Sequence, residues 1–162
     1  PGSTIGNFTR EEGVSFLSRV AELVGDDGGL LVGIDRKKDP AIIEAAYDDS
    51  LGVTAAFNMN ILRRLNSMGA DFDLASFRHS APYVASEGRI EMRLTSEVAQ
   101  SVHVGESSID FDAGEYIVTE HSHKYDLDDF EAMANEAGFQ LTRHWSDEQD
   151  WFSVCFLEAR GA

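Results

Sequence analysis

The run LLVGID, residues 30–35, constrains this chain more than any other stretch. It is continuously apolar, closes on Asp35 and shows no period-2 alternation. That is the pattern of a strand covered on both faces, as in a parallel sheet. The preceding residues predict a helix. Thr9 and Glu12 form a T-x-x-E capping box, and Val14, Leu17, Val20 or Ala21, and Val24 mark one face. The glycines from Gly25 to Gly29 end it. A loop, a helix and a buried strand in this order imply an α/β layer.

The pattern then changes. KDPAIIEAAYDD predicts a helix with Asp39 as N-cap and Pro40 at its first position. TAAFNMNILRRLNSMG predicts a second, with Phe57, Ile61, Leu65 and Met68 along one side. From about Arg78 to Tyr125 come short runs with turn signals between them: HSAPYVA, RIEMRLTS, AQSVHV, SSIDFD and EYIVTEHSHKY. This block reads as antiparallel β. DLDDFEAMANEAG is a helix capped by Asp126 and stopped by Gly138, and two strands, FQLTRHWSD and DWFSVCFLEA, end the chain. An α/β layer is thus interrupted by an α+β block and then resumed.

Charge and cysteine usage narrow the function classes. Lys and Arg number 13 against 29 Asp and Glu, a formal charge of −16. A surface this acidic repels phosphates, so nucleic acid is not expected as a partner. No apolar run is long enough to cross a bilayer, and PGSTIGNF has no signal-peptide character, so a soluble, cytoplasmic protein is expected. The single cysteine, Cys155, lies in the apolar run WFSVCFLE and reads as a buried, inert thiol.

The stretch TEHSHK, residues 119–124, invites a metal reading. On a strand, however, His121 and His123 share one face, while Glu120, Ser122 and Lys124 share the other. The histidines lose the carboxylate and no third ligand is placed by sequence, so no metal is expected. Glu120 and Ser122 remain as a same-face acceptor and hydroxyl.

PGSTIGNF, LLVGIDRKKDPAIIEAAYDDSLGVTAAFNMNILRRLN, RIEMRL and TEHSHKY, in this order and at near-constant spacing, resemble the ergothioneine-pathway L-histidine Nα-methyltransferases. The resemblance runs from Pro1 to the C-terminus. It implies the C-terminal part of a class I, Rossmann-like methyltransferase sheet, interrupted by an α+β substrate-binding insertion with antiparallel strands. Residues 1–36 and 125–162 would form the methyltransferase part and 37–124 the substrate domain. The implied reaction is Nα-methylation of L-histidine, up to the trimethylated betaine hercynine, with S-adenosylmethionine as methyl donor. The glycine-rich cofactor motif does not occur in these residues and is expected upstream of Pro1, as in the C-terminal half of a longer protein. The isolated chain is then expected to be inactive.

The resemblance also implies site residues. Asn7 would contact the substrate α-amino group, its carbonyl orienting the amine lone pair without protonating it. Tyr47 would donate to the substrate carboxylate, so that Asn7 and Tyr47 serve catalysis by positioning alone. Phe57 and Met92 would be apolar walls. Glu120 and Ser122 would bind the imidazole, which needs an acceptor for its N–H and a donor for its bare nitrogen. From the residues alone, Asn7 also reads as a turn or N-cap residue, Tyr47 as a half-buried helix tyrosine, and Phe57 and Met92 as core. Two other functions stay open at this point: methylation of another amino acid or small amine, and non-catalytic histidine binding.

Overall fold

The computed structural model describes residues 2–160. Pro1, Gly161 and Ala162, which end the two segments expected to form the methyltransferase part, lie outside the described residues. The chain divides into two compact units, one comprising residues 1–38, 85–89 and 122–162, the other residues 39–84 and 90–121.

In the first unit, a 3-10 turn, Ser3–Asn7, leads into helix α1, Arg10–Val24. Thr9 Oγ1 accepts from the Glu12 amide and the Glu12 carboxylate accepts from the Thr9 amide. This reciprocal cap contributes about 1 kcal/mol. Strand β1, Gly29–Asp35, follows. Helix α4, Leu127–Glu136, and strands β8, Phe139–Ser146, and β9, Phe152–Ala159, complete the unit.

The three strands of this unit form a sheet in the order β1-β9-β8, with antiparallel pairing at both seams. Leu17 of α1 and Phe130, Met133 and Ala134 of α4 pack with Val32, Ile34, Cys155 and Leu157 of the sheet. Full burial of a side chain such as Leu17 or Phe130 stabilises by about 1.5–3 kcal/mol. The Cys155 thiol is fully buried, and that burial pushes its pKa up to about 11, which leaves it protonated and inert near neutrality.

Two expectations for this unit need correction. The strand at LLVGID is not uniformly buried, because Leu31 is 53% exposed and only Val32 to Ile34 are fully enclosed. Its hydrogen-bonded neighbour among the described strands, β9, is antiparallel. Asp126 does occupy the N-cap position of α4, but its side chain makes no capping bond. Its carboxylate instead accepts from Lys37 Nζ at 2.8 Å, and Asp129 accepts from the same ammonium at 2.6 Å. These two bonds hold the Lys37 pKa well above the ordinary lysine range.

The second unit holds helices α2, Pro40–Tyr47, and α3, Val53–Ser67. Its strands are β2, Phe77–Ser80; β3, Tyr83–Val84; β4, Arg89–Ser96; β5, Gln100–Val104; β6, Ser107–Phe111; and β7, Tyr116–His123. The first residue of β4 and the last two of β7 belong to the first unit. Asp39 caps α2 through the Ala41 amide, with Pro40 opening the helix. Strands β2, β3 and β7 all pair with β4, and β5 pairs antiparallel with β6. One core joins Leu62, Phe72, Phe77, Leu94, Val102 and Phe111, and a smaller one joins Ile43, Ala81, Ile90 and Met92.

Helix α3 turns a different side inward from the one its apolar residues suggest. Phe57 is 66% exposed and Met68 69%, whereas Asn58 and Leu62 are buried. The physical reason is the site that Asn58 occupies, described below. No helix of the described residues is long and apolar enough to cross a membrane.

Candidate functional site

Asn7 ends the 3-10 turn as an exposed residue, and the cap of α1 is Thr9, so Asn7 is not an N-cap. Two side chains of the same unit pin this turn. His123 Nδ1 donates to the Gly6 carbonyl at 2.9 Å, and the Tyr125 hydroxyl donates to the Ile5 carbonyl at 3.3 Å. Burial raises the Tyr125 phenol to about 12, so it remains a donor at any physiological pH.

Gly6 is required by proximity, since a Cβ there would lie 2.8 Å from the His123 carbonyl oxygen. Backbone cannot yield as a flexible side chain would. Gly6→Ala is therefore expected to cost about 1–3 kcal/mol and displace the turn carrying Asn7. Thermal unfolding of the full-length protein checks this, and an unchanged midpoint would mean the turn moves freely.

Ser122 is buried on β7, with the side chain of Lys124 beside it. Lys124 Nζ donates to Ser122 Oγ at 2.9 Å and to Asp35 Oδ2 at 2.7 Å. The other Asp35 oxygen accepts from Lys38 Nζ at 2.5 Å, and Lys38 also donates to the Trp151 carbonyl. Sequence parity puts Lys124 on the face of Glu120 and Ser122, but its partner Asp35 is far away in sequence. The end of β1 supplies it.

The second unit holds Tyr47, Phe57, Met92 and Glu120. Tyr47 is the half-buried last residue of α2, packed against the Ile43 core. Met92 is buried within that same core, and Phe57 projects outward from α3. Glu120 is half-buried on β7, as is its neighbour Thr119. Thr119 Oγ1 lies 2.6 Å from Asn58 Oδ1 and 3.1 Å from the Met92 carbonyl oxygen.

Asn58 is fully buried and anchors a directional network that hydrophobic periodicity does not reveal. Its Nδ2 donates to the Arg93 carbonyl at 3.2 Å, which fixes the amide orientation, because a carbonyl can only accept. The same nitrogen lies 3.0 Å from His79 Nδ1, so that ring nitrogen must be the bare one. His79 Nε2 then carries the proton and donates to the Tyr47 carbonyl at 2.9 Å. The network runs from Thr119, next to Glu120, to the end of α2 that bears Tyr47.

His121 and His123 contact different groups. His121 Nε2 stands 4.0 Å from Glu91 Oε1, and Glu91 is itself paired with Arg93 at 2.7 Å. His123 is bonded to Gly6. Among the described residues no three His, Cys, Asp or Glu side chains group as metal ligands would. Asn7 and the buried Ser122 lie in the first unit, and Tyr47, Phe57, Met92 and Glu120 in the second.

Comparison with known proteins adds the family. The model of a family described as histidine-specific methyltransferase, SAM-dependent, matches residues 1–159. A histidine N-alpha-methyltransferase of Mycolicibacterium smegmatis is 44% identical over 94% of this chain and 49% of its own length. Its counterpart from Mycobacterium tuberculosis is 42% identical over the same shares. Ergothioneine biosynthesis protein 1 of Neurospora crassa is 30% identical over 90% of this chain and 17% of its own. The chain spans about half the length of the two mycobacterial relatives.

Proposed function

The chain belongs to the histidine-specific, S-adenosylmethionine-dependent methyltransferases, and on that premise we propose that the whole protein is a cytoplasmic enzyme methylating the α-amino nitrogen of L-histidine. Methylation would proceed as far as the trimethylated betaine hercynine, a step of ergothioneine biosynthesis. The observation that carries the substrate reading is the register of Glu120 and Ser122 on β7. Two residues apart on one strand, a carboxylate and a buried hydroxyl face the same side. An imidazole, with one N–H and one bare nitrogen, complements that pair, and an apolar side chain would leave both polar groups unpaired.

In this reading Asn7 accepts from the α-amino group and Tyr47 donates to the substrate carboxylate. Phe57 and Met92 are the apolar walls. Together they hold the amine for attack, so that rate comes from positioning rather than from a dedicated base. The residues after β1 are taken up by one another. The charges there are already paired, Lys37 with Asp126 and Asp129 and Lys38 with Asp35, and Asp39 accepts from the first free amide of α2. No step of the methyl donor is therefore assigned to those residues.

Incubating the full-length protein with S-adenosylmethionine and each common amino acid in turn tests the proposal. Histidine should gain the mass of one to three methyl groups, and the others should not. Equal gains on an aliphatic amino acid would refute it.

A further inference from the structure

Three polar side chains of the second unit, Thr119, Asn58 and His79, form one chain of hydrogen bonds. Asn58 is fully buried, and the His79 side chain is 3% exposed. Because the Arg93 carbonyl fixes the Asn58 amide, His79 Nδ1 is bare and Nε2 carries the proton. That proton goes to the Tyr47 carbonyl, and Asp48 Oδ1, 4.0 Å from the same nitrogen, is too far away to compete for it. Tyr47 ends α2, and the last four carbonyls of a helix have no partner within it. His79 thus caps α2 from β2. The network also touches every residue of this unit that reads as a substrate contact. Tyr47 and Met92 lend it their carbonyls, and Phe57 and Glu120 are the chain neighbours of Asn58 and Thr119.

We propose that His79 is a positioning residue for substrate binding: by holding the Tyr47 carbonyl it fixes the end of α2, and so the place from which the phenol meets the substrate carboxylate. This rests on the reading of Tyr47 as the donor to that carboxylate. Asn58 acts through His79, since its N–H selects the ring tautomer that donates at Nε2. A hydrogen bond constrains both distance and angle, whereas the apolar contacts of Tyr47 with the Ile43 core have no preferred direction.

The test uses the full-length protein with His79→Asn, His79→Gln, Tyr47→Phe and the variant combining His79→Asn with Tyr47→Phe. A glutamine amide nitrogen lies as many bonds from Cβ as Nε2 does and keeps the bond to Tyr47. Asparagine reaches only as far as Nδ1 and loses that bond. The readouts are the dissociation constants of histidine and of histamine, which has the ring and the amine but no carboxylate. His79→Asn should cut the advantage of histidine over histamine about three- to tenfold, the worth of one ordinary hydrogen bond. His79→Gln should keep most of that advantage, and in the Tyr47→Phe background His79→Asn should add nothing. An equal loss for both ligands would make His79 merely structural and overturn the proposal, as would equal damage from His79→Gln or additive effects in the combined variant. A Tyr47→Phe protein with an unaltered advantage would instead sink the reading of Tyr47 beneath it. If His79→Asn fails to fold, exchange of the His79 Nε2 proton in the unmodified protein decides. Bound histidine should slow that exchange and histamine should not, and one rate for both would overturn the proposal.

Discussion

Glu120→Ala in the full-length protein is expected to raise the KM for histidine about 10- to 100-fold, the worth of a hydrogen bond to a charged group. Its larger effect is on selectivity. A carboxylate offers acceptors only, so an imidazole N–H satisfies it and an aliphatic side chain leaves it stranded. Sites built on such bonds discriminate by about 10⁴-fold, whereas apolar shape alone reaches about 10–200-fold. Histidine's preference over amino acids of similar size should fall from the first range towards the second, as competition kinetics would measure. His121→Ala is the control. His121 lies on the other face of β7, toward Glu91, and its loss should leave the preference nearly intact. Equal damage from both variants would mean that the face assignment is wrong.

The second large effect is on stability. Asn58→Leu keeps the volume but strands the Arg93 carbonyl and His79 Nδ1, both inside the second unit. Each buried group left without its partner costs about 1–3 kcal/mol, so a loss of roughly 2–5 kcal/mol is expected in denaturant unfolding of the full-length protein. Thr119 is partly compensated, because the Met92 carbonyl is within its reach. A loss below about 1 kcal/mol would mean that water or rearrangement satisfies the network without the amide.

These two sites also mark how far the sequence could be read. Local signals worked where the cause is local. The Thr9–Glu12 box, Asp39 with Pro40, and the extended run of β7 each depend on residues within a few positions, and the structure has them in place. Signals failed where burial is decided from far away. Phe57 and Met68 look like a core stripe, yet α3 turns Asn58 inward because β2, β4 and β7 bring it three polar partners. A hydropathy pattern has no means of registering an asparagine whose every hydrogen bond is met.

The same holds for charge. Strand parity places Lys124 beside Ser122 but does not disclose its burial, which comes with Asp35 beside it. Asp126 sits at a cap position, but Lys37 claims its carboxylate across a long loop of chain. Of the candidate site, the Glu120–Ser122 pair is proposed from strand parity, and the roles of Asn7 and Tyr47 from family resemblance. The supports behind them, His123 on Gly6 and His79 on the Tyr47 carbonyl, join residues over a hundred and over thirty positions apart in sequence. No spacing rule reaches that far.

The claim that Glu120 and Ser122 hold a histidine ring is tested most directly by the ¹⁵N NMR spectrum of ring-labelled histidine bound to the full-length protein. The account predicts two distinct nitrogen signals, one protonated and one bare but hydrogen-bonded, with Glu120→Ala releasing the protonated one. Signals averaged between tautomers, as for histidine free in solution at the same pH, would contradict it.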